Sequence, residues 1–203
     1  MSLIICAGGN EEFSFAKGVG IGLINAACGL AQLCLEYLKA GKDIEKIIFI
    51  GTCGLYNEPK DTSKNLKQGL KDEKNLKPAN ELLQIYESAH CFNVEYAKLC
   101  ANFYTPLSNE INANVSQETF KCNSSNYICA DKTAAQKFAN LGLNLENMEL
   151  FAVLSVAKRF KIPATSYLCA TNFCDENAHK NFVKNHKEAK IKLEEFLQGK
   201  NLI

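Results

Sequence analysis

Lys46-Ile47-Ile48-Phe49-Ile50-Gly51-Thr52-Cys53-Gly54 reads as a buried strand, Lys46 to Ile50, running into a glycine turn. Upstream, Leu3 to Ala7 is another continuous apolar run, ended by Gly8-Gly9, and Phe13 to Val19 is a further extended candidate closed by Gly20 and Gly22. From Leu23 the period changes. Ile24, Ala27, Ala31, Cys34 and Leu38 fall at helical spacing, and Gly41 supplies the stop. Strand, helix and strand joined by a right-handed crossover predict a parallel pairing and an α/β core.

The rest of the chain extends this pattern. Glu58 to Asn80 holds six lysines, two prolines and little apolar content, so it is expected to be a mobile, solvated insertion. Leu82 to Tyr86 and Asn93 to Phe103 read as mixed extended and irregular structure. Thr133 to Leu141 and Met148 to Phe160 read as helices, the second halted by Ile162-Pro163, because proline disfavours helix for the residue before it. Tyr167 to Thr171 is a buried strand. Glu176 to Leu197 is a long helix with Ala178, Phe182, Ala189, Leu193 and Phe196 on one face. The expected architecture is one domain over residues 1–203, a three-layer α/β/α sandwich around a central mixed, largely parallel twisted sheet.

Composition narrows the function classes. Hydrophobic residues are 47% and charged residues 22% of the 203, the balance of an ordinary soluble globule. A formal net charge of +1 gives no broad field for nucleic acid or anionic membrane. No apolar run approaches the roughly 20 residues that span a bilayer. Neither nucleic acid nor membrane is therefore an expected partner. Met1 to Ala7 lacks the basic start of a secretory leader, so the ten cysteines are expected to be reduced thiols of a cytoplasmic protein. They contain no Cys-x-x-Cys pair, and His90, His179 and His186 stand apart from them, so no metal site is expected.

In α/β sheets ligands bind beyond the carboxyl ends of strands. Four such ends carry glycines or polar residues: Gly8 to Glu12, Gly18 to Gly22, Gly51 to Gly54 and Thr171 to Asp175. Gly18-Val19-Gly20-Ile21-Gly22 lacks the G-x-G-x-x-G spacing, and no acid ends the next strand near Ile50, which argues against a dinucleotide cofactor.

Five segments in order carry a resemblance: Leu3 to Glu11, Gly20-Ile21-Gly22 opening a helix, Ile48 to Gly54, Asn147-Met148-Glu149 starting a helix, and Leu168-Cys169-Ala170-Thr171-Asn172. Together they resemble the nucleoside phosphorylase superfamily and are similar to purine nucleoside phosphorylases and methylthioadenosine/S-adenosylhomocysteine nucleosidases. The resemblance implies cleavage of a purine N-glycosidic bond, by phosphorolysis or hydrolysis, in nucleoside metabolism or salvage. It implies no cofactor, inorganic phosphate as a potential co-substrate, and a homo-oligomer, whether dimer, trimer or hexamer. Glu149 would accept hydrogen bonds from ribose hydroxyls, an interaction that strengthens as positive charge grows on the sugar, and Met148 would pack under the ribose. Glu11, with Glu12 as the register alternative, would orient and deprotonate the attacking water. Tyr127 would stack on the base beside the backbone of Ile128. Thr52 would hold the nucleophile, and the amides of Gly20 and Gly22 would be available to phosphate.

Two departures qualify that picture. Asn172 stands where many relatives carry an aspartate that protonates the purine N7, and an amide has no transferable proton, although it can hold a base through paired donor and acceptor contacts. Asp175 is a substitute acid beyond the strand end. Arg159 is the only arginine, late in a helix, so an arginine clamp on phosphate is lacking and water is favoured as nucleophile. Glu149 also has an ordinary role open to it, since acids are favoured in the first turn of a helix.

Overall fold

The structure, a computed structural model, describes residues 1–57, 81–113 and 119–203. The insertion expected at 58–80 lies outside the described residues. The strand–helix–strand unit is present. β1 (Ser2–Cys6) runs parallel to β3 (Lys46–Leu55), with Leu3 opposite Ile47 and Ile5 opposite Phe49, and α1 (Gly22–Lys39) forms the crossover.

β3 is longer than its apolar run. Gly51 to Gly54 does not turn but continues the strand, because β9 (Ala164–Phe173) pairs with it in parallel from Ile47 and Ala164 to Leu55 and Phe173. The register shifts once: Cys53 faces Ala170 and Gly54 faces Asn172, leaving Thr171 as an extra residue in a β-bulge. Phe13 to Val19 contributes only β2 (Lys17–Gly18). Phe13 itself closes a turn with Ala16 and buries its ring instead of pairing.

The remaining strands are short: β4 (Ile85–Ser88), β5 (His90–Phe92), β6 (Glu110–Asn112), β7 (Lys121–Asn123) and β8 (Leu145–Glu146). Among the described residues the order is β2-β1-β3-β8-β7-β5-β6, with β9 between β3 and β4. Among the described residues five strand pairings are parallel and three antiparallel, so the sheet is mixed and largely parallel. Asn93 to Phe103 contains a short helix, α2 (Tyr96–Cys100), and the other helices among the described residues are α3 (Lys132–Asn140), α4 (Leu150–Phe160) and α5 (Ala178–Gly199). α4 stops at Lys161, which takes the left-handed conformation two residues before Pro163.

Alternation along the central strands builds the three layers. Leu3, Ile5, Ile47 and Phe49 point to one face, where α1 and α4 cover them, whereas Ile4, Cys6, Ile48 and Ile50 point to the other, against Ala189, Leu193 and Leu197 of α5. No helix among the described residues is long and apolar enough to cross a membrane.

The expected inward face of α1 is rotated from the one observed. Ala26, Leu30 and Cys34 are buried, while Ile24 is 73% exposed and Leu38 is 67% exposed. The small face wins because the helix approaches the backbone of Val19: a Cβ on Gly29 would lie 2.0 Å from the Val19 carbonyl oxygen. Gly29→Ala gains roughly 1 kcal/mol of helix propensity, but it forces two backbones apart, which costs about 1–3 kcal/mol or more. A net loss of stability is expected, read as a lower urea midpoint with an unchanged slope.

Candidate active site

Glu11, Thr52, Ile128, Met148, Glu149 and Asn172 line one cavity of about 270 Å³ at the carboxyl ends of β1, β3 and β9. They come from five separate stretches of chain, which the parallel strands deliver to the same edge.

Glu11 enters from the turn after β1. Its backbone N–H donates to the Gly8 carbonyl at 3.1 Å, and this tight turn directs Glu11 inward while Glu12 lies in a surface groove beside α5. The carboxylate accepts from the Thr52 N–H at 3.2 Å and from the Thr52 hydroxyl. Its seat exists because position 51 has no side chain: a Cβ on Gly51 would lie 2.7 Å from Glu11 Oε2. Burial pushes the Glu11 carboxyl up, the Thr52 hydrogen bonds and then Lys190 and His186 opposing it.

Glu149 sits at the start of α4 without capping it. Asn147 does that work, its Oδ1 accepting from the N–H groups of Glu149 and Leu150 at 2.9 Å each while its Nδ2 donates to the Thr52 carbonyl. Glu149 Oε1 instead accepts from the Gly22 N–H at 2.8 Å, at the N-terminus of α1. Burial raises its pKa from 4.5 to about 7, with the charge of Glu11 adding to the shift and the Gly22 bond resisting it. The two carboxyl groups therefore share one field and one cavity.

That raised pKa has a stability consequence. The folded protein binds the Glu149 proton more tightly than the unfolded chain does, so the contribution is present below about pH 4.5 and lost as pH rises through about 7. A shift of this size corresponds to about 3 kcal/mol. Glu149→Gln is expected to gain stability over the native chain between pH 5 and pH 8, measured as the pH dependence of the difference in unfolding free energy.

Asn172 owes its place to the bulge. Consecutive strand residues normally face opposite ways, yet Thr171 and Asn172 both line the cavity. The Thr171 hydroxyl donates to Asn172 Oδ1 at 2.9 Å and Asn172 Nδ2 donates to the Phe173 carbonyl at 3.0 Å, which fixes the amide orientation.

Other expected residues are not brought into the cavity. The Gly20 N–H donates to the Ala7 carbonyl and the Gly22 N–H to Glu149, so neither amide is open to phosphate. Tyr127 is 80% exposed and lines a neighbouring hollow instead. Its backbone is turned by Ser125, whose hydroxyl bonds both the N–H and the carbonyl of Tyr127. Asp175 accepts from the Asn177 N–H, and Arg159 is exposed in the last turn of α4; neither lines the cavity. Among the described residues the cavity wall holds no lysine or arginine.

Three cavity residues escaped the sequence reading. Glu146, on β8, is a buried carboxylate, and its neighbours Asn144 and Asn147 interrupt the apolar residues so closely that the sequence carries no mark of its burial. His179 and Phe182, three residues apart in the first turns of α5, also line the cavity, and their helical spacing was the signal available.

Residues 67–199 match the model of the phosphorylase superfamily. The chain belongs to that superfamily. No curated protein sequence matches it. Among solved structures, an aspartate-to-asparagine mutant of the Helicobacter pylori nucleosidase MTAN, with 5′-methylthioadenosine in its active site, is 13% identical at a TM-score of 0.71, covering 98% of this chain and 96% of that one. Futalosine hydrolase of Helicobacter pylori is 13% identical at a TM-score of 0.69, covering 97% and 95%. A 5′-methylthioadenosine/S-adenosylhomocysteine nucleosidase from Colwellia psychrerythraea in complex with adenine is 14% identical at a TM-score of 0.64, covering 94% and 90%. At these identities the likeness is one of fold.

Proposed function

We propose that this protein cleaves the N-glycosidic bond of a purine nucleoside, with water as the nucleophile. The observation that carries this reading is the pair of buried carboxylates, Glu11 and Glu149, facing one cavity with Thr52 and Asn172. An oxocarbenium-like sugar needs negative charge on one side and an activated nucleophile on the other, and two carboxyl groups with separate hydrogen-bond partners provide both. Glu11 takes the proton of the attacking water, Thr52 fixes Glu11, Glu149 holds the ribose hydroxyls, and Met148 packs beneath the sugar. The lack of lysine or arginine in the described wall supports water over phosphate. No cofactor is required by this chemistry.

Ile21 and Ile128 line the cavity yet are 53% and 58% exposed, which supports a homo-oligomer in which a second copy covers that side. The reading places the protein in cytoplasmic nucleoside metabolism.

A second reading, binding without turnover, is favoured by Asn172, which has no proton to give a departing base. The experiment is incubation with inosine, adenosine and methylthioadenosine, with and without phosphate, followed by separation of free base, free sugar and sugar phosphate. Free base and free sugar without phosphate support the hydrolase. Tight binding with no release from any nucleoside supports the binder.

A further inference from the structure

Cys129 and Cys174 meet at one oxygen atom. Glu146 Oε2 accepts from the Cys129 N–H at 2.9 Å and from the Cys174 thiol at 3.7 Å. Both side chains pack in the apolar cluster that contains Tyr56 and Phe138, and their sulfurs share a hydrogen bond. The fold brings them together from distant stretches: Cys129 lies between β7 and α3, and Cys174 directly follows β9. Both are free thiols.

The two differ in access and in acidity. Cys129 is half-buried and lines a hollow of about 320 Å³ with Tyr96, Tyr127 and Phe138, whereas Cys174 is buried. The hydrogen bond from Cys174 holds the Cys129 thiol below its usual range although burial opposes it, and the same bond together with burial pushes Cys174 up. The accessible sulfur therefore ionises first, and the one behind it keeps its proton. Cys91 and Cys122, paired in register on β5 and β7, are both fully buried and offer no such entry.

We propose that Cys129 and Cys174 form a reversible disulfide on meeting a hydroperoxide, Cys129 reacting first and Cys174 resolving it. The Cys129 thiolate attacks one oxygen of the O–O bond, which breaks. The other oxygen leaves with the proton that Cys129 lost, as an alcohol, or as water from hydrogen peroxide, and Cys129 becomes a sulfenic acid. The Cys174 sulfur then attacks the Cys129 sulfur: the S–S bond forms, the S–O bond breaks, and the departing hydroxide takes the Cys174 proton and leaves as water. Glu146 Oε2, 3.7 Å from the Cys174 sulfur, is placed to relay that proton. The two thiols give up two electrons, which reduce the hydroperoxide, and a thiol reductant reverses the bond by exchange. The bond joins two walls of the cavity, since Ile128 precedes Cys129 and Asn172 lies two residues before Cys174. It does not depend on what the cavity binds, so it stands or falls apart from the proposed function.

The test is exposure of the reduced native chain to a small excess of hydrogen peroxide, then blocking of the remaining thiols with N-ethylmaleimide and peptide mapping by mass spectrometry. Two of the ten free thiols are expected to be lost, in one cross-linked pair of peptides holding Cys129 and Cys174, and to return with dithiothreitol. Cys129→Ser is expected to slow thiol loss by about 10-fold or more. Cys174→Ser is expected to stop at a sulfenic acid on Cys129, trapped by dimedone. The native map needs no variant and stands even if Cys174→Ser fails to fold. A disulfide between other cysteines, oxidation of the exposed Cys28 or Cys100 ahead of Cys129, or no disulfide at all overturns the proposal. So does a folded Cys129→Ser that loses two thiols as fast as the native chain.

Discussion

Glu11→Gln is expected to lower kcat for nucleoside cleavage by about 10²- to 10⁴-fold, the range over which a positioned general base contributes. Glutamine keeps the volume and an oxygen for the Thr52 N–H and hydroxyl, so the side chain can stay in the seat left open by Gly51. What it loses is the ability to take a proton from water. Burial raises the carboxyl of Glu11, which brings a weak base closer to the strength needed near neutrality. The ionised form is the active one, so native activity should fall as pH falls through the Glu11 titration, and the residual activity of the variant should lose that limb. Glu12→Gln is the control, since Glu12 lies in the groove beside α5 and not in the cavity. A loss of equal size in Glu12→Gln would sink the assignment.

Asn172→Asp is expected to raise kcat for hydrolysis of purine nucleosides by about 10²-fold or more, since it installs a group able to protonate the departing base. The surroundings suit a neutral acid. The Phe173 carbonyl lies 3.0 Å from the atom that would become a carboxyl oxygen, and the nearby carboxyls of Glu146 and Glu149 are already raised by burial. Burial and the Phe173 carbonyl thus hold the introduced carboxyl group toward its protonated form. The gain should be largest for substrates whose base leaves poorly without protonation, and it is read as the rate of free-base release at saturating nucleoside. A variant slower than the native chain would mean that the base departs unprotonated and that Asn172 itself stabilises it.

The parts of this protein legible in its sequence are those whose signal is longer than one turn or one hairpin. β1, α1 and the first half of β3 follow from apolar runs bounded by glycines, and α4 and α5 from helical periodicity. β6, β7 and β8 are only two or three residues long, and so short a run carries no measurable period. The glycines of β3 misled for a definite reason. A glycine pair reads as a turn, but here the missing side chains accommodate Glu11, Asn172 and Cys174 against a strand that β9 keeps straight. Which of Glu11 and Glu12 faces the cavity is likewise a matter of one residue of register, and the turn on Gly8 directs Glu11 inward. Tyr127 was placed by resemblance alone, and the Ser125 turn carries it outward. Glu146 was hidden because nothing in a single sequence distinguishes a buried acid on a two-residue strand from an exposed one.

The extra residue at Thr171 separates two kinds of change that evolution or an engineer can make at this edge. A strand is a counter with a step of two, and the bulge advances that counter by one just before Asn172. Substitution at position 172 alters which chemistry faces the cavity and leaves the count intact. Loss of a single residue between Ala164 and Thr171 would reset it, turning position 172 to the opposite side of the sheet and changing the phase at which the chain enters α5, with His179 and Phe182 on it. The chemical identity of this wall is thus open to point mutation, whereas its very existence hangs on the parity of a residue count.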